Sequence, residues 1–322
     1  MSTRCPACGA TYAVSARFCT RDGTALQAAA VAGAAFDPSR LPGHVLDARY
    51  HVERKLGEGG MAHVFLAIDS ASGERVAIKL LSPALLRDGT AMERLRREAQ
   101  IGGRLAHPNV CHIMRLGETA DGIVYIVMPF LEGELLCDRT FREGQLSVPL
   151  TARFVRDIAA GLAAAHAHGV IHRDLKPENV MVVSGGREGD RAVVMDFGLA
   201  KQRRVGPEVR KLTATGIVLG TPEFMSPEQL RGKPLDARSD IYALGLMACE
   251  MLTGRLPFSG TTQQDVMIAR LKGAPTPLGS LRPDLRFPQA LERVIARSLQ
   301  REPENRYATA PEFAEAFTAA AG

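Results

Sequence analysis

The sequence has no long hydrophobic run, no dense basic block and no internal repeat. No stretch approaches the roughly 18 apolar residues that a membrane span requires, and the start Met-Ser-Thr-Arg-Cys has no apolar signal core. We therefore expect a cytoplasmic protein and no membrane span in this chain. The net charge of +5 comes mostly from scattered arginines without interleaved aromatics, so nucleic acid is not an expected partner.

The chain itself has 322 residues, of which 46% are hydrophobic and 23% are charged, as is typical of globular proteins. Its composition predicts three segments. Residues 1–24 are punctuated by Cys and Gly, residues 25–45 are Ala-rich and predicted to be a flexible linker, and residues 46–319 form a folded domain. Three of the six cysteines stand alone among apolar residues, which favours core packing: Cys111, Cys137 and Cys249.

The other cysteines cluster near the N-terminus. Cys5 and Cys8 have the spacing of a zinc knuckle, Cys19 follows, and Asp22 stands where a second knuckle would have its second Cys. The segment partly resembles single zinc-ribbon modules, which implies a Zn²⁺ site and a role in interaction with a partner or in regulation. The alternative is a disordered tail with reduced thiols, because about twenty residues cannot bury a core without metal.

The hydrophobic pattern predicts strands in the first part of the folded domain and helices in the second. Residues 63–69 and 75–81 are β-rich runs joined by Ser-Ala-Ser-Gly, which predicts a hairpin, and residues 123–128 form another strand. Helical spacing or Ala-rich composition predicts helices over residues 90–105, residues 151–168 with Gly169 as the C-cap, residues 239–253 and residues 288–300. This segregation predicts an α+β protein with two lobes.

The most specific feature is the loop His172-Arg-Asp-Leu-Lys-Pro-Glu-Asn179, which is followed by Asp196-Phe-Gly198. Phosphoryl transfer from a nucleotide uses the groups found here. One carboxylate orients the acceptor hydroxyl, a cation neutralises the moving phosphoryl group, and an amide with a second carboxylate holds Mg²⁺. The two motifs resemble the catalytic loop and the metal-binding turn of the protein kinase family.

Two upstream motifs extend the resemblance to about residues 50–315. Gly57-Glu-Gly-Gly-Met-Ala-His-Val64 would let the backbone approach phosphates, although a Gly-rich hairpin turn is the alternative. It has Ala62 where the family has a third Gly, and this variant is similar to that of bacterial Ser/Thr kinases. Val76-Ala-Ile-Lys79 puts a Lys in an apolar strand, which is costly unless the Lys is paired; the alternative is an edge-strand Lys that extends to water.

The resemblance implies a two-lobed kinase fold, with an N-lobe over residues 46–128, a hinge over residues 129–133 and a C-lobe over residues 134–319. It also implies ATP with Mg²⁺ or Mn²⁺. The residues that would bind the nucleotide are Leu56, Gly57, Glu58, Gly59, Gly60, Val64, Ala77, Lys79, Met128, Pro129, Leu131 and Met181. Lys79 would contact the α- and β-phosphates and pair with Glu98. Adenine would bind the carbonyl of Pro129 and the N–H of Leu131.

In the catalytic loop, the resemblance makes Asp174 the group that orients the acceptor hydroxyl and accepts its proton. Lys176 would stabilise the phosphoryl group, and Asn179 and Asp196 would hold Mg²⁺. Lys176 and the Gly-Thr-Pro-Glu stretch that contains Thr221 also indicate Ser or Thr as the acceptor. Thr221 would be a structural hydroxyl that faces the catalytic loop.

Residues 196–228 would be the activation segment of a kinase. Thr213 or Thr215 is the expected autophosphorylation site, and Arg173 would bind the added phosphate and order the segment. The resemblance therefore implies regulation by phosphorylation.

Three charged residues are expected to hold these loops in place. Glu228 would pair with Arg306, and Asp240 would anchor the backbone of the catalytic loop. Ordinary surface charge is the alternative for Arg306 and Asp240.

Two other classes of function compete with a protein kinase. A pseudokinase or scaffold would bind nucleotide without turnover, but Lys79, Asp174 and Asp196 are all present. A small-molecule kinase of similar fold would not need the complete activation segment, which serves as a platform for peptides. We therefore expect an active Ser/Thr protein kinase that uses MgATP and acts on protein substrates.

Overall fold

The computed structural model describes residues 2–4, 8, 10–13, 38–59, 62–82, 99, 102–103, 105–119, 122–185, 189–197 and 222–322. Within these residues the chain forms a strand-rich N-lobe followed by a helical C-lobe. The predicted α+β class with two lobes is confirmed.

The strands of the described residues form three antiparallel sheets. A hairpin near the N-terminus consists of β1 (Ser2–Arg4) and β2 (Thr11–Ala13). The main sheet has the order β3-β4-β5-β6-β8-β7. Its strands are β3 (Val45–Leu46), β4 (Tyr50–Gly59), β5 (Ala62–Asp69), β6 (Arg75–Leu81), β7 (Arg115–Glu118) and β8 (Val124–Pro129). A small sheet of order β11-β10-β9 is built from β9 (Gly133–Leu135), β10 (Val180–Val183) and β11 (Arg191–Val194).

The alternation of side chains gives the main sheet two apolar faces. On β6, Val76, Ile78 and Leu80 pack into the core of the N-lobe. Ala77 and Leu81 point the other way, into an apolar cluster that also contains Val193 of β11 in the C-lobe. Because side chains alternate along a strand, Lys79 lies on the same face of the sheet as Ala77 and Leu81, which is the face toward the C-lobe.

The fold begins earlier than the predicted linker boundary at residue 45. Leu41 is buried in the N-lobe core, and a 3-10 turn at Pro38–Arg40 precedes it. The backbone of Gly43 donates to Val52 (2.8 Å), which extends the sheet beyond β3. Composition predicted the boundary too late because Leu41 stands alone in a stretch of low complexity.

Eight α-helices with defined bounds lie in the described part of the chain, and all eight are in the C-lobe. They are α1 (Leu136–Glu143), α2 (Val148–His166), α3 (Pro227–Arg231), α4 (Arg238–Thr253), α5 (Gln263–Lys272), α6 (Leu278–Leu281), α7 (Gln289–Ser298) and α8 (Ala310–Ala321). In the N-lobe, Ala99 and Gly102 are also helical. Helices α2, α4 and α8 pack on one another around the main core. Nearly every residue of α4 is buried, so α4 is the central helix. None of these helices has the length and apolarity that crossing a bilayer requires.

The helix bounds in the structure differ in places from those predicted from the sequence. Helix α2 starts three residues before the predicted position 151, because the Ser147 side chain caps it by accepting from the N–H of Leu150 (3.4 Å). It ends with Ala167 as the C-cap, whereas Gly169 takes the left-handed conformation (φ 72°) two residues later. The predicted helix over residues 90–105 lies mostly outside the described residues.

The cysteine prediction is right for two positions and wrong for one. Cys111 and Cys249 are buried, as expected for core packing, but Cys137 is only half-buried. It lies in the first turn of α1, a short helix of which only Leu136 and Thr140 are buried.

Within the described residues, two segments of backbone join the main sheet to the C-lobe. Upstream of β7, the backbone of Asn109 and Cys111 bonds to Val194 of β11 (2.9 and 2.8 Å), and the Asn109 amide donates to the Ala192 carbonyl (2.8 Å). Downstream of β8, residues 130–132 connect to β9, which pairs with β10.

The downstream connector is held against the N-lobe by one side chain. The Arg75 guanidinium of β6 lies 5.2 Å from the ring centroid of Phe130 and forms an ion pair with Glu132. Beyond it, Gly133 runs so close to the carbonyl of Val182 that a Cβ would overlap it. The connector is therefore short and attached at both ends.

Candidate active site

The catalytic loop lies between α2 and β10, and its backbone is held by one buried carboxylate. Asp240, in the first turn of α4, accepts from the N–H groups of His172 (2.8 Å) and Arg173 (2.9 Å). The His166 ring of α2 lies 2.7 Å from the same carboxylate. Arg173 takes the left-handed conformation (φ 65°), which is unfavourable for a residue other than glycine and needs such support.

The chemical groups of the loop lie close to one another. The Lys176 ammonium lies 3.6 Å from the Asp174 carboxylate, and both side chains are largely buried. The Asn179 amide nitrogen donates to the backbone carbonyl of Asp174 (2.7 Å). This bond leaves the amide oxygen of Asn179 for another partner.

The β10–β11 hairpin brings Asn179 next to the second acidic motif. Val180 pairs with Val194, and the N–H of Met195 donates to the Asn179 carbonyl (2.9 Å), so Asn179 and Asp196 lie at the same end of the hairpin. Asp196 has φ 59°, which Asp tolerates better than most residues. An amide oxygen and a carboxylate are the hard donors that Mg²⁺ prefers, so this pair fits the ion that the motif implies.

The residues beside Asp196 are structural. The His172 ring nitrogen Nε2 lies 2.8 Å from the carbonyl of Met195, and the ring contacts Phe197 edge-on with centroids 4.9 Å apart. Phe197 itself is buried. These contacts join the catalytic loop to the turn that carries Asp196.

Lys79 forms an ion pair that the sequence did not predict. Its ammonium donates to Asp196 Oδ2 (2.7 Å), and the two side chains are 16% and 23% exposed. The expected partner, Glu98, lies outside the described residues. The pairing with Asp196 satisfies the requirement that a Lys in an apolar strand be neutralised.

The residues expected around adenine lie between the main sheet and the β10–β11 hairpin. Val64, Ala77, Met128 and Leu131 belong to one apolar cluster, which has Val193 of β11 on its other side. Met181, on β10 opposite Leu135, is half-buried.

The remaining nucleotide-site candidates lie at the hinge and along β4. Pro129 ends β8, and its carbonyl has the weak thiol donor of Cys111 at 4.0 Å, which leaves a lone pair for a stronger donor. Leu56, Gly57 and Glu58 are exposed on β4, and Gly59 ends that strand. Gly60 lies outside the described residues.

Glu228 and Arg306 form a buried ion pair with two parallel hydrogen bonds of 2.7 Å. Arg306 also donates to the carbonyls of Arg238, Gln300 and Arg301, and the Ser239 hydroxyl donates to Glu228 (2.7 Å). Burial alone would raise the pKa of Glu228, but the hydrogen bonds and charge of Arg306 outweigh burial and leave this pKa below its ordinary value. The pair is thus charged and fully hydrogen-bonded, as a buried pair must be.

Sequence reasoning missed the contacts of three residues, Arg270, Gln229 and His166, near the catalytic loop and the end of the activation segment. The buried Arg270 of α5 donates to the carbonyls of Glu223 (2.6 Å) and Met225 (3.0 Å) and lies over the ring of Phe258. Burial lowers the pKa of Arg270. The amide of Gln229 donates to the Arg173 carbonyl (2.7 Å), and His166 contacts Asp240. No local motif marks these residues, because each contact joins positions far apart in the chain.

Some predicted site residues lie outside the described residues. They are Cys5, Cys19, Asp22, Glu98, Gly60, Thr213, Thr215 and Thr221. Cys8 is described and lies exposed in the turn between β1 and β2. Among the residues that the structure describes, no group of three or more His, Cys, Asp or Glu is arranged to hold a metal ion.

The two lobes, the ion pair of Lys79 with Asp196 and the loop of Asp174, Lys176 and Asn179 define a protein kinase. The protein kinase domain model matches residues 50–317, so the chain belongs to this family. The particular group is that of the bacterial serine/threonine kinases.

Two relatives and one solved structure carry this assignment. The chain is 40% identical over 283 residues to serine/threonine-protein kinase pkn3 of Myxococcus xanthus, which covers 88% of this chain and 51% of that protein. It is 37% identical over 275 residues to PknB of Mycobacterium tuberculosis, which covers 84% and 42%. The crystal structure of the Mycobacterium tuberculosis PknI kinase domain superposes with a TM-score of 0.68 and 30% identity, covering 87% of this chain and 99% of that one. The chain spans about half the length of these two relatives or less.

Proposed function

We propose that this chain is a serine/threonine protein kinase that transfers the γ-phosphoryl group of ATP to Ser and Thr hydroxyls of proteins. The observation that carries the proposal is the meeting of Asp174, Lys176 and Asn179 in one loop, with Asp196 and Lys79 beside it. These are the groups that phosphoryl transfer requires.

Each group has a role that its surroundings support. The Asp174 carboxylate orients the acceptor hydroxyl and accepts its proton, while Lys176, 3.6 Å away, compensates the charge of the transferring group. Asn179 and Asp196 would hold Mg²⁺, which neutralises phosphate charge when it is bound. Lys79 holds Asp196 in the site and donates to the phosphates of the nucleotide.

The nucleotide binds between the lobes. Val64, Ala77 and Met128 provide apolar contacts for adenine, in keeping with their shared cluster. The carbonyl of Pro129 and the N–H of Leu131 provide the hydrogen bonds. The absence of an N–H at Pro129 has no cost here, because only its carbonyl is used.

The regulation that we propose is autophosphorylation at Thr213 or Thr215. Arg173, which precedes Asp174, would bind the added phosphate by charge-assisted hydrogen bonds. A phosphopeptide map of the active enzyme tests this directly, since unmodified threonines at both positions would contradict it.

The N-terminal module is proposed to bind Zn²⁺ through Cys5, Cys8, Cys19 and Asp22 and to contact a partner, with the whole chain acting in the cytoplasm. The spacing of the ligands and the β1–β2 hairpin that brackets Cys8 support a knuckle. Mass spectrometry under native conditions should find about one zinc per chain. Substitution Cys5→Ser should abolish the zinc, while Cys249→Ser in the core should not; zinc well below one equivalent in the unsubstituted protein contradicts the site.

The kinase proposal is tested by transfer of radiolabelled γ-phosphate from ATP to a protein substrate. Asp174→Asn should lower the labelling about a hundredfold or more, because it removes the group that accepts the proton. Asp284→Asn, an exposed position on the C-lobe, is the matched control and should label like the unsubstituted chain. Equal labelling by all three proteins would rule out the mechanism.

A further inference from the structure

The side chain of Gln229 connects the end of the activation segment to the peptide unit that precedes the catalytic Asp. We propose that Gln229 is a positioning residue, which sets the direction of Asp174 by holding the Arg173 carbonyl. The donation from Gln229 Nε2 to this carbonyl is short, at 2.7 Å. The inference rests on the proposed function and adds a residue to its machinery.

The peptide unit between Arg173 and Asp174 is fixed at both of its polar atoms. Its oxygen accepts from Gln229, and its nitrogen, that of Asp174, donates to His172 Nδ1 (3.3 Å). The backbone N–H of Arg173, in the preceding peptide unit, donates to the Asp240 carboxylate (2.9 Å). Because Arg173 is in the unfavourable left-handed conformation, its peptide unit would turn if the oxygen were released. A turn of this unit would redirect the Asp174 side chain.

Gln229 itself is held firmly. Its backbone belongs to α3, where the preceding residue in the same helix, Glu228, is fixed by Arg306. Its side-chain oxygen accepts from the N–H of Ser226 (2.9 Å), and its own N–H donates to the Ser226 hydroxyl (3.4 Å), which is a capping box. The side-chain amide of Gln229 is needed because this one side chain must accept from the Ser226 N–H at the helix cap and donate to the Arg173 carbonyl of the catalytic loop.

Two substitutions separate these tasks. Gln229→Glu keeps the acceptor for the Ser226 N–H but loses the donor to the Arg173 carbonyl. Gln229→Met keeps the size and loses both. If the donation positions Asp174, both variants should lose activity. If only the helix cap matters, the Glu variant should behave like the unsubstituted chain.

The chain offers a matched control in α5, which starts with a second capping box. There Asp265 accepts from the N–H of Thr262 (3.0 Å), and Thr262 accepts from the N–H of Asp265 (3.1 Å). Asp265→Ala breaks a cap of the same kind on a different helix. It reports what the loss of a cap does by itself.

The experiment measures single-turnover phosphoryl transfer to a protein substrate, the Kd for ATP and the thermal midpoint of the full chain. Both Gln229 variants should transfer about tenfold to a hundredfold more slowly, because misplacement of a catalytic group by about 1 Å has effects of this size. Their Kd for ATP should stay within about twofold, since the nucleotide pocket is untouched. Asp265→Ala should transfer at the unsubstituted rate.

Three outcomes would overturn the inference: an unsubstituted rate in both Gln229 variants, an unsubstituted rate in Gln229→Glu alone, or an equal loss in Asp265→Ala. ATP binding shows that a variant is folded, and if Gln229→Met does not fold, Gln229→Glu decides alone. Failure of the proposed function would look different, because the unsubstituted chain would then show no transfer that depends on Asp174.

Discussion

Replacing Glu250 with glutamine should stabilise the fold, and the gain should grow as the pH rises. Glu250 lies on the central helix α4, and within the described residues its Oε2 atom is buried without a hydrogen-bond partner. Burial, and then the negative charges of Glu178 and Glu223, raise its pKa from an ordinary 4.5 to about 7. The folded state therefore holds this proton more tightly than the unfolded state does.

The sign and size follow from this difference. Below pH 4.5 the Glu250 carboxyl is protonated in both the folded and the unfolded state, so it does not lower the stability of the fold. As the pH rises from 4.5 to about 7, the unfolded state releases its proton first, so the stability of the folded state falls. Above about 7 the loss is constant at about 3–4 kcal/mol, from 1.36 kcal/mol for each pH unit between the two values. A neutral glutamine does not have this loss.

Urea unfolding at several pH values measures the effect. The difference in unfolding free energy between Glu250→Gln and the unsubstituted chain should be small at pH 4.5 and about 3–4 kcal/mol in favour of the variant at pH 8. Glu315→Gln, at an exposed position of α8, controls for the amide substitution itself. A difference that does not change between these pH values would refute the reasoning, because it would mean that the Glu250 carboxylate is not penalised in the fold.

Two further substitutions test packing and charge. Glu228→Gln leaves the buried Arg306 guanidinium without its counter-charge and should cost about 3–5 kcal/mol by denaturant unfolding at pH 7. Because the folded-state pKa of Glu228 is lowered, the ion pair stabilises the fold at pH values above 4.5, the ordinary pKa of Glu. The difference in unfolding free energy between the unsubstituted chain and the variant should therefore narrow as the pH falls below 4.5. A difference that is constant down to pH 3 would contradict this. Gly161→Ala in α2 puts a Cβ 2.6 Å from the Asn109 carbonyl oxygen and should lower stability by about 1–3 kcal/mol in calorimetry, whereas an unchanged midpoint would show that the backbone of Asn109 yields easily.

The sequence could indicate the chemistry of the site because its motifs keep their groups close along the chain. Asp174, Lys176 and Asn179 lie within one loop, so their meeting needs no knowledge of the tertiary fold. The pairing of Glu228 with Arg306 could also be named in advance, although 78 positions separate them, because each stands in a motif of its own.

Contacts between unmarked residues could not be predicted in this way. Arg270 meets Met225 across 45 positions, and nothing near either residue signals it. The ion pair of Lys79 with Asp196 spans 117 positions and depends on how the main sheet sits over the β10–β11 hairpin. Such contacts follow from the packing of whole elements, which a local pattern does not contain.

The two segments that join the main sheet to the C-lobe also limit how the cleft can open. The upstream segment is bonded to β11 at Asn109 and Cys111, and the downstream connector is three residues long. A rotation about the line through these two attachments keeps both of them, and it strains the ion pair of Lys79 with Asp196, which also spans the lobes. The downstream segment contributes about six soft dihedral angles, two for each of its residues. Arg75 contacts the side chains of two of these residues, and so its exposed ion pair with Glu132 links the freedom of that rotation to the ionic strength of the solution.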